Sequence, residues 1–321
     1  MRKTHIWSAP PTQLLMANLI LRPNYSFLPG IEMVSTGTDD LPEGPVFFAL
    51  NHSDSFSYWP FQYHLWQKLG RFTAPWVKGK NFEHWFVGNF LGSMNSIPVP
   101  SKGYIITRDF FSTVGRRPTD EEYKRLRAHI DRSAAIAVDE VPEAIFQQKR
   151  NMLGRVFDPA KETYREAARS LLDDMMALFV DLNVVALQKR CDLLVFPQGS
   201  RSLRLSRGRT GIAQLAMHLG RPIVPVGCNG GDVVYPGKSP IAKKGRIEFR
   251  FGKPFTRAEI MERRPGEPFR PFSPEADRRH GPVFQHLVDD VMDRLNTLLD
   301  ERYRFTENRE SQGSQGTARF L

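Results

Sequence analysis

The chain is poor in cysteine, with two among 321 residues. Cys191 and Cys228 form neither a metal-ligand spacing nor a disulfide framework. Both are expected as buried free thiols, which fits a reducing, cytosolic compartment. Also missing is any uncharged apolar run of about 18 residues, so no membrane-crossing helix is expected. Met1-Arg2-Lys3 is basic, but no long apolar core with a small-residue cleavage site follows it, and no signal peptide is expected. Acidic residues are outnumbered, 35 against 45 Lys and Arg, which leaves a formal charge of +10. That balance suits anionic headgroups, acidic carrier proteins, phosphorylated acceptors or nucleic acid. No zinc-finger, RNA-recognition or basic-zipper signature is present, so nucleic acid is not expected as a partner. The His and carboxylate spacings match no metal site, and no metal is expected.

What is present is an alternation of short apolar runs with helical stretches, and a hydrophobic fraction of 40% that supports a substantial core. Residues 1–34 form an apolar, aromatic N-terminal segment, with a helix read from Pro11 to Leu21 after a proline start. That helix is apolar almost all round. It either packs on the domain or dips into a bilayer interface, with Trp7 and Arg22 as anchors. Residues 44–50 read as a buried strand, 58–70 as an aromatic-rich helix, and 71–95 as strand, turn and helix. Trp76, Phe82, Trp85, Phe86 and Phe90 suit a core or an apolar channel, and Lys78 and Lys80 fall where they could meet phosphate. Thr119 to Glu122 is a capping-box signature for a charged helix reaching about Ala137. Helices are read at 141–154, 159–180 and 182–189, strands at 193–196, 221–227 and 246–251, and a helix at 212–219. Residues 263–281 read as a surface loop and 282–302 as a final helix. A tail over 305–321, polar from about Thr306, is expected to be disordered.

The strand at 193–196 is stopped by Pro197 and Gly199, and Ser200 and Arg201 follow at once. A turn just past the carboxyl end of a strand in an α/β sheet is a usual ligand position. Exposed N–H groups with an Arg fork there suit a phosphate. Another apolar strand delivers Asn51-His52 to its end. Histidine titrates near neutrality, so it can accept a proton at working pH. Two further segments are Ile97-Pro98-Val99, with Lys102 and Arg108 nearby, and Ile223-Val224-Pro225-Val226. The basic loop from Leu203 to Gly211 leads into a helix, an arrangement suited to anions.

Taken in order across residues 45–227, these blocks resemble those of the glycerolipid acyltransferase superfamily, which includes lysophosphatidate and glycerol-3-phosphate acyltransferases. Phe196-Pro197-Gln198-Gly199-Ser200-Arg201-Ser202 is similar to that family's Phe-Pro-Glu-Gly-Thr-Arg-Ser block, and Asn51-His52 to the start of its Asn-His-x4-Asp block. The resemblance implies an α/β fold with a mostly parallel central sheet flanked by helices, here carrying a helical insertion at about 110–190 within an acyltransferase domain over 35–304. It implies transfer of a fatty acyl group from acyl-CoA or acyl carrier protein to a hydroxyl of a glycerophosphate or lysophospholipid. His52 would be the general base, with no further cofactor. It also implies a cytoplasmic protein peripheral to the inner face of the membrane, whose surface would be a partner.

Two departures from the family pattern bear on the site. The family places a carboxylate five positions after its histidine, where this chain has Ser57; the nearest carboxylate, Asp54, is the substitute partner expected for His52, or else a cap for the following helix. The block-three Glu is Gln198, which keeps hydrogen-bonding capacity but cannot act as a carboxylate base. Acceptor phosphate is expected to meet Lys102, Arg108, Gln198, Gly199, Ser200 and Arg201, with Lys102 and Arg108 standing in for the arginine of the second block. Two alternatives stay open: a catalytically inactive lipid- or acyl-carrier-binding homologue, and an acyltransferase for a non-glycerol acceptor.

Overall fold

The computed structural model describes residues 4–26, 30–131, 140–237 and 239–310. The chain opens with a continuous helical segment made of α1 (Pro11–Met16), a π-helical turn (Ala17–Leu21) and α2 (Arg22–Ser26). The helix therefore runs past the expected end at Leu21. Pro23 has no N–H to donate one turn back, and the widened turn just before it absorbs that loss. Next come β1 (Ile31–Thr36), which the sequence reading did not separate from the N-terminal segment, β2 (Phe47–Leu50), α3 (Tyr58–Leu69), β3 (Thr73–Lys78), α4 (Trp85–Ser93) and β4 (Ile97–Val99). A helical layer follows: α5 (Lys102–Val114), α6 (Asp120–Asp131), α7 (Ala144–Gln147), a hairpin of β5 (Arg150–Met152) and β6 (Arg155–Phe157), and α8 (Tyr164–Gln188). The chain ends with β7 (Asp192–Val195), α9 (Gly211–Leu219), β8 (Ile223–Asn229), α10 (Gly231–Val234), β9 (Gly245–Phe251), α11 (Arg257–Glu262) and α12 (Pro274–Thr297).

Seven strands form one sheet in the order β1-β9-β8-β2-β7-β3-β4, parallel throughout except where β8 meets β9. This is the mostly parallel α/β architecture expected. In β2, Phe47 faces Leu193 of β7 and Ile223 of β8, so β2 is hydrogen-bonded on both sides. Its residues are apolar without interruption because both faces are covered. Phe47 and Ala49 join the core under α8, α9 and α12, while Phe48 and Leu50 join the opposite core with α3 and the N-terminal helix. The carboxyl ends of the parallel strands β2, β3, β4, β7 and β8 share one edge, where the site is built.

The inserted layer differs from the sequence reading in three places. The stretch 141–154 is not one helix but α7 followed by the first strand of the hairpin and its turn. Leu153 and Gly154 both have positive φ, 52° and 100°, and the Asn151 side chain accepts from the Gly154 N–H at 2.6 Å, which makes a two-residue turn that reverses the chain. The helices read at 159–180 and 182–189 are one helix, α8; Thr163 and Glu166 close its N-terminus as a capping box, and no Gly or Pro interrupts it. The layer starts at Lys102 rather than near residue 110 and has a core of its own, including Ile106, Phe110, Leu126, Phe157 and Tyr164. The charged helix is capped as expected, by Thr119 and Glu122, and is described to Asp131; its expected continuation to about Ala137 lies outside the described residues.

At the other end, α12 begins at Pro274, inside the stretch read as a loop. Ser273 caps it, and Pro282 is accommodated within the helix. Of the expected tail, Phe305 packs against the main core and the Arg309 carbonyl accepts from the Arg207 N–H at 2.9 Å; residues 311–321 lie outside the described residues. Among the described residues no helix is long and apolar enough to cross a membrane, and Cys191 and Cys228 are buried free thiols.

Candidate active site

His52 emerges from the end of β2 and is held by its main chain from two sides. Its N–H donates to Oε1 of Gln198 at 2.9 Å, and its carbonyl accepts from the Ser202 N–H at 2.9 Å. Both partners lie in the loop that follows β7, so the turns after two adjacent parallel strands are locked together. Asn51 fixes the other side: its amide donates to the Cys228 carbonyl at 2.9 Å and accepts from the Cys228 N–H at 2.7 Å, at the end of β8. The imidazole lies on the Phe196 ring, with centroids 4.3 Å apart and planes 23° apart. Stacking therefore supplies the orientation that a carboxylate would supply in a triad.

Nδ1 of His52 is buried and has no hydrogen-bond partner. Its expected partner, Asp54, turns elsewhere. The Asp54 carboxylate accepts from the Phe56 N–H at 2.7 Å and from the Ser53 hydroxyl at 3.3 Å, and the Ser57 N–H also reaches it. The carboxylate packs so closely on Gly231 that a Cβ there would stand 2.5 Å from Oδ2. It therefore shapes the turn ahead of α3, in a local side-chain-to-backbone arrangement. Ser57, at the position where the family has its carboxylate, is fully buried, and its hydroxyl has no partner.

Burial pulls the pKa of His52 down to about 4, and the positive charges of Arg201 and Lys78 add to the effect; the backbone of Asp54 offsets part of it. The ring is thus neutral at pH 7. The Asp54 carboxyl moves the other way, to about 6, because it is buried, with Asp232 contributing.

The structure divides the expected phosphate ligands into two groups. Arg201 lies at the site, exposed, with its guanidinium on the Ser55 hydroxyl, and its charge acts on His52. Gly199 is exposed at the turn and has φ of 69°, a conformation that favours glycine. Ser200 is buried beside it. Gln198, only 2% exposed, is not placed to meet an acceptor: besides accepting from His52 it donates through Nε2 to the Arg204 carbonyl at 3.3 Å. That second bond explains why an amide serves here, since an ionised carboxylate cannot donate. Lys102 pairs with Asp131 on α6, and Arg108 with Glu83 at 3.6 Å. Arg108 lines an open depression of about 410 Å³ with Lys80, Asn81, Phe111 and Arg117. Neither Lys102 nor Arg108 figures among the charges that act on His52, whereas Lys78, at the end of β3, does.

The basic loop after Arg201 is anchored rather than open. Gly208 faces Val288 and Met292 of α12, where a Cβ would come within 2.4 Å and 2.7 Å. The Leu205 N–H donates to the Tyr303 carbonyl at 2.8 Å, so the segment after α12 braces the loop that holds His52. Phe196 as the stacking partner and Tyr303 as the brace carried no signal in the sequence. Among the described residues no group of His, Cys, Asp and Glu is arranged to hold a metal ion.

No family model matches this chain, and no curated protein matches it. Among solved structures, it is similar to the crystal structure of the 1-acyl-sn-glycerophosphate (LPA) acyltransferase PlsC from Thermotoga maritima, at 14% identity. The match covers 87% of this chain and 79% of that one, with a TM-score of 0.39.

Proposed function

We propose that this protein is an acyltransferase that moves a fatty acyl group from a thioester, acyl-CoA or acyl carrier protein, to a hydroxyl of a phosphate-bearing glycerol acceptor. The observation that carries the reading is a neutral, stacked imidazole at the carboxyl edge of a parallel sheet, with Arg201 and Lys78 beside it. The order of the four sequence blocks supports the same reading.

In this reading Arg201 and Lys78 hold the acceptor phosphate, Arg201 by its fork and Lys78 as a point charge. His52 takes the hydroxyl proton as the acceptor oxygen attacks the thioester carbonyl. The new C–O bond forms, the C–S bond breaks, and the imidazolium returns the proton to the departing thiolate. The products are an ester and a free thiol. A base with a pKa of about 4 is weak; burial is the larger cause, and a phosphate bound at the two cations raises it by the smaller part that their charge contributes. Acceptor binding thereby prepares the base.

A second reading, a lipid- or carrier-binding homologue without turnover, is favoured by the unpartnered Nδ1 of His52 and the distribution of Asp54's bonds. Transfer of labelled acyl groups from acyl-CoA and acyl carrier protein to lysophosphatidate and glycerol-3-phosphate, wild type beside His52→Ala, separates the two. Transfer that disappears in the variant supports the enzyme. Absent transfer with intact lipid binding supports the binder.

A further inference from the structure

The open depression of about 410 Å³ that holds Arg108 is not used by the chemistry at His52. Two parts of the chain build it: the single 3₁₀ turn (Gly79–Phe82) that follows β3 directly, and the second half of α5 with the residues just beyond it. Of the turn, Lys80 and Asn81 line the depression, whereas Gly79 and Phe82 line a separate cavity. Arg108 and Phe111 stand three residues apart on α5 and so share a face. Gly115 ends that helix in the left-handed region, with φ of 81°, and the chain after it brings Arg117 to the same depression.

Charge and composition select the occupant. Three cations line the depression against one carboxylate, Glu83. That carboxylate is already engaged, by Arg108 at 3.6 Å and by the Tyr104 hydroxyl. Among the described residues Lys80 and Arg117 have no carboxylate partner, although Lys80 is half-buried. Cations in this state suit phosphate groups. A single phosphate fills only part of such a volume, which lies in the range of small-molecule sites. Phe111 is 40% exposed and has the Arg108 guanidinium 5.8 Å from its ring centre, which makes a platform on which a base can stack. Asn81 is exposed beside it and carries an amide, the group that matches the donor and acceptor on the edge of adenine. Phosphate-binding cations, a stacking platform and an adenine-matching amide in one depression are the chemistry of an adenine nucleotide.

The depression also adjoins the His52 site. The charge of Lys78 acts on His52, and only Gly79 separates Lys78 from Lys80, so their Cα atoms stand at most about 7 Å apart. We propose that Lys80, Asn81, Arg108, Phe111 and Arg117 bind the phosphorylated adenosine of coenzyme A, whose pantetheine arm then carries the thioester past Lys78 to His52. The proposal rests on the acyltransferase reading and deepens it by selecting between its two donors. An acyl carrier protein presents the same arm but has no adenosine for Phe111 and Asn81 to recognise.

The test is calorimetric titration of the full chain with coenzyme A, adenosine 3′,5′-bisphosphate and pyrophosphate, for wild type, Lys80→Met/Arg117→Met and Phe111→Ser. Unchanged circular dichroism and melting temperature are required of each variant, and the exposed Arg117→Met alone replaces the double variant where that one falls short. Wild type is expected to bind coenzyme A and the bisphosphate, less at high salt, and to bind pyrophosphate at least about tenfold more weakly. Each variant is expected to lose about tenfold in affinity for coenzyme A. Wild type without affinity for coenzyme A, or variants with wild-type affinity, would overturn the proposal. Equal affinity for pyrophosphate and the bisphosphate would reduce the depression to a plain anion site and overturn the adenosine assignment. In transfer assays the variants should raise KM for acyl-CoA and leave the KM of the acceptor in place; the reverse pattern would give the depression to the acceptor phosphate and overturn the proposal. Binding is read without turnover, and His52→Ala is expected to bind coenzyme A like wild type. Failure of the acyltransferase reading therefore shows as absent transfer with intact coenzyme A binding. Failure of this site shows as His52-dependent transfer with a coenzyme A affinity that the substitutions do not touch.

Discussion

The main-chain N–H of His52 donates to Oε1 of Gln198 over 2.9 Å, across the gap between the ends of two neighbouring parallel strands. Because Nε2 of the same amide reaches the Arg204 carbonyl, Gln198 clasps the turn bearing the imidazole to the loop bearing Arg201. One buried side chain, together with the Ser202 N–H bond to the His52 carbonyl, therefore fixes the His52 turn against the loop that bears Arg201.

Replacing Gln198 by Glu tests this clasp. An ionised carboxylate still accepts from His52 but cannot donate to Arg204, and it is buried. Gln198→Glu is expected to lose about 2 kcal/mol of stability at pH 8 and to lower turnover at least tenfold. The new carboxyl has a raised folded pKa, so the loss shrinks as the pH falls and the proton needed for donation returns. Urea unfolding at pH 5 and pH 8 reads the difference; equal losses at both would remove the clasp argument.

The cations beside His52 make a signed prediction. The acid limb of kcat/KM reports the free protein and is expected near about pH 4, far below an ordinary histidine. Lys78→Met and Arg201→Met should each move that limb upward, since each removes a charge that disfavours the imidazolium. Lys102→Met and Arg108→Met should leave it in place. A limb that moves only with Lys102 or Arg108 would transfer the acceptor site to those residues.

Asp54→Asn is expected to keep turnover within a few-fold of wild type, because the carboxylate bonds its own turn rather than the imidazole. It should also raise stability at pH 8. The folded pKa of about 6 lies above the ordinary 3.8, so native Asp54 holds its proton more tightly and its contribution is lost as the pH rises through 6. That shift corresponds to roughly 3 kcal/mol. A gain of about 1–2 kcal/mol is expected, because an amide has one acceptor oxygen where the carboxylate uses two, so part of the hydrogen bonding to Ser53, Phe56 and Ser57 is lost. His52 works in the opposite sense, since its stability contribution grows between about pH 4 and 6.5. Asp54→Asn and His52→Ala should therefore tilt the pH–stability curve in opposite directions, and a hundredfold loss of kcat in Asp54→Asn would restore Asp54 as an orienting residue.

Tyr303 supplies the last prediction. Its ring is buried, its hydroxyl donates to Oδ1 of Asp232 at 2.5 Å and accepts from the Gly230 N–H at 3.1 Å. Tyr303→Phe should cost about 1–2 kcal/mol and Tyr303→Ala about 3–5 kcal/mol, measured as shifts in the urea midpoint. A neutral Tyr303→Ala would mean that the segment after α12 does not brace the sheet.

What the sequence determined by itself is local. Uninterrupted apolar runs marked β2, β7 and β8 as strands buried on both faces, and the residues just beyond them marked Asn51-His52 and Gly199-Ser200-Arg201 as edge positions. Those signals depend only on near neighbours in the chain, whereas the fold class was implied by the family resemblance of the blocks in which they lie. The hairpin at 150–157 was not legible in that way, because its strands are three residues long and its turn rests on Leu153, a residue with no turn preference. The same holds for the site's partners. Only the strand order brings Lys78, rather than Lys102 or Arg108, to bear on His52, and only the packing turns Asp54 toward Gly231 and Gln198 toward Arg204. Charge acts through space and falls with distance, so which cation and which carboxylate govern a base is decided by the fold and not by spacing along the chain.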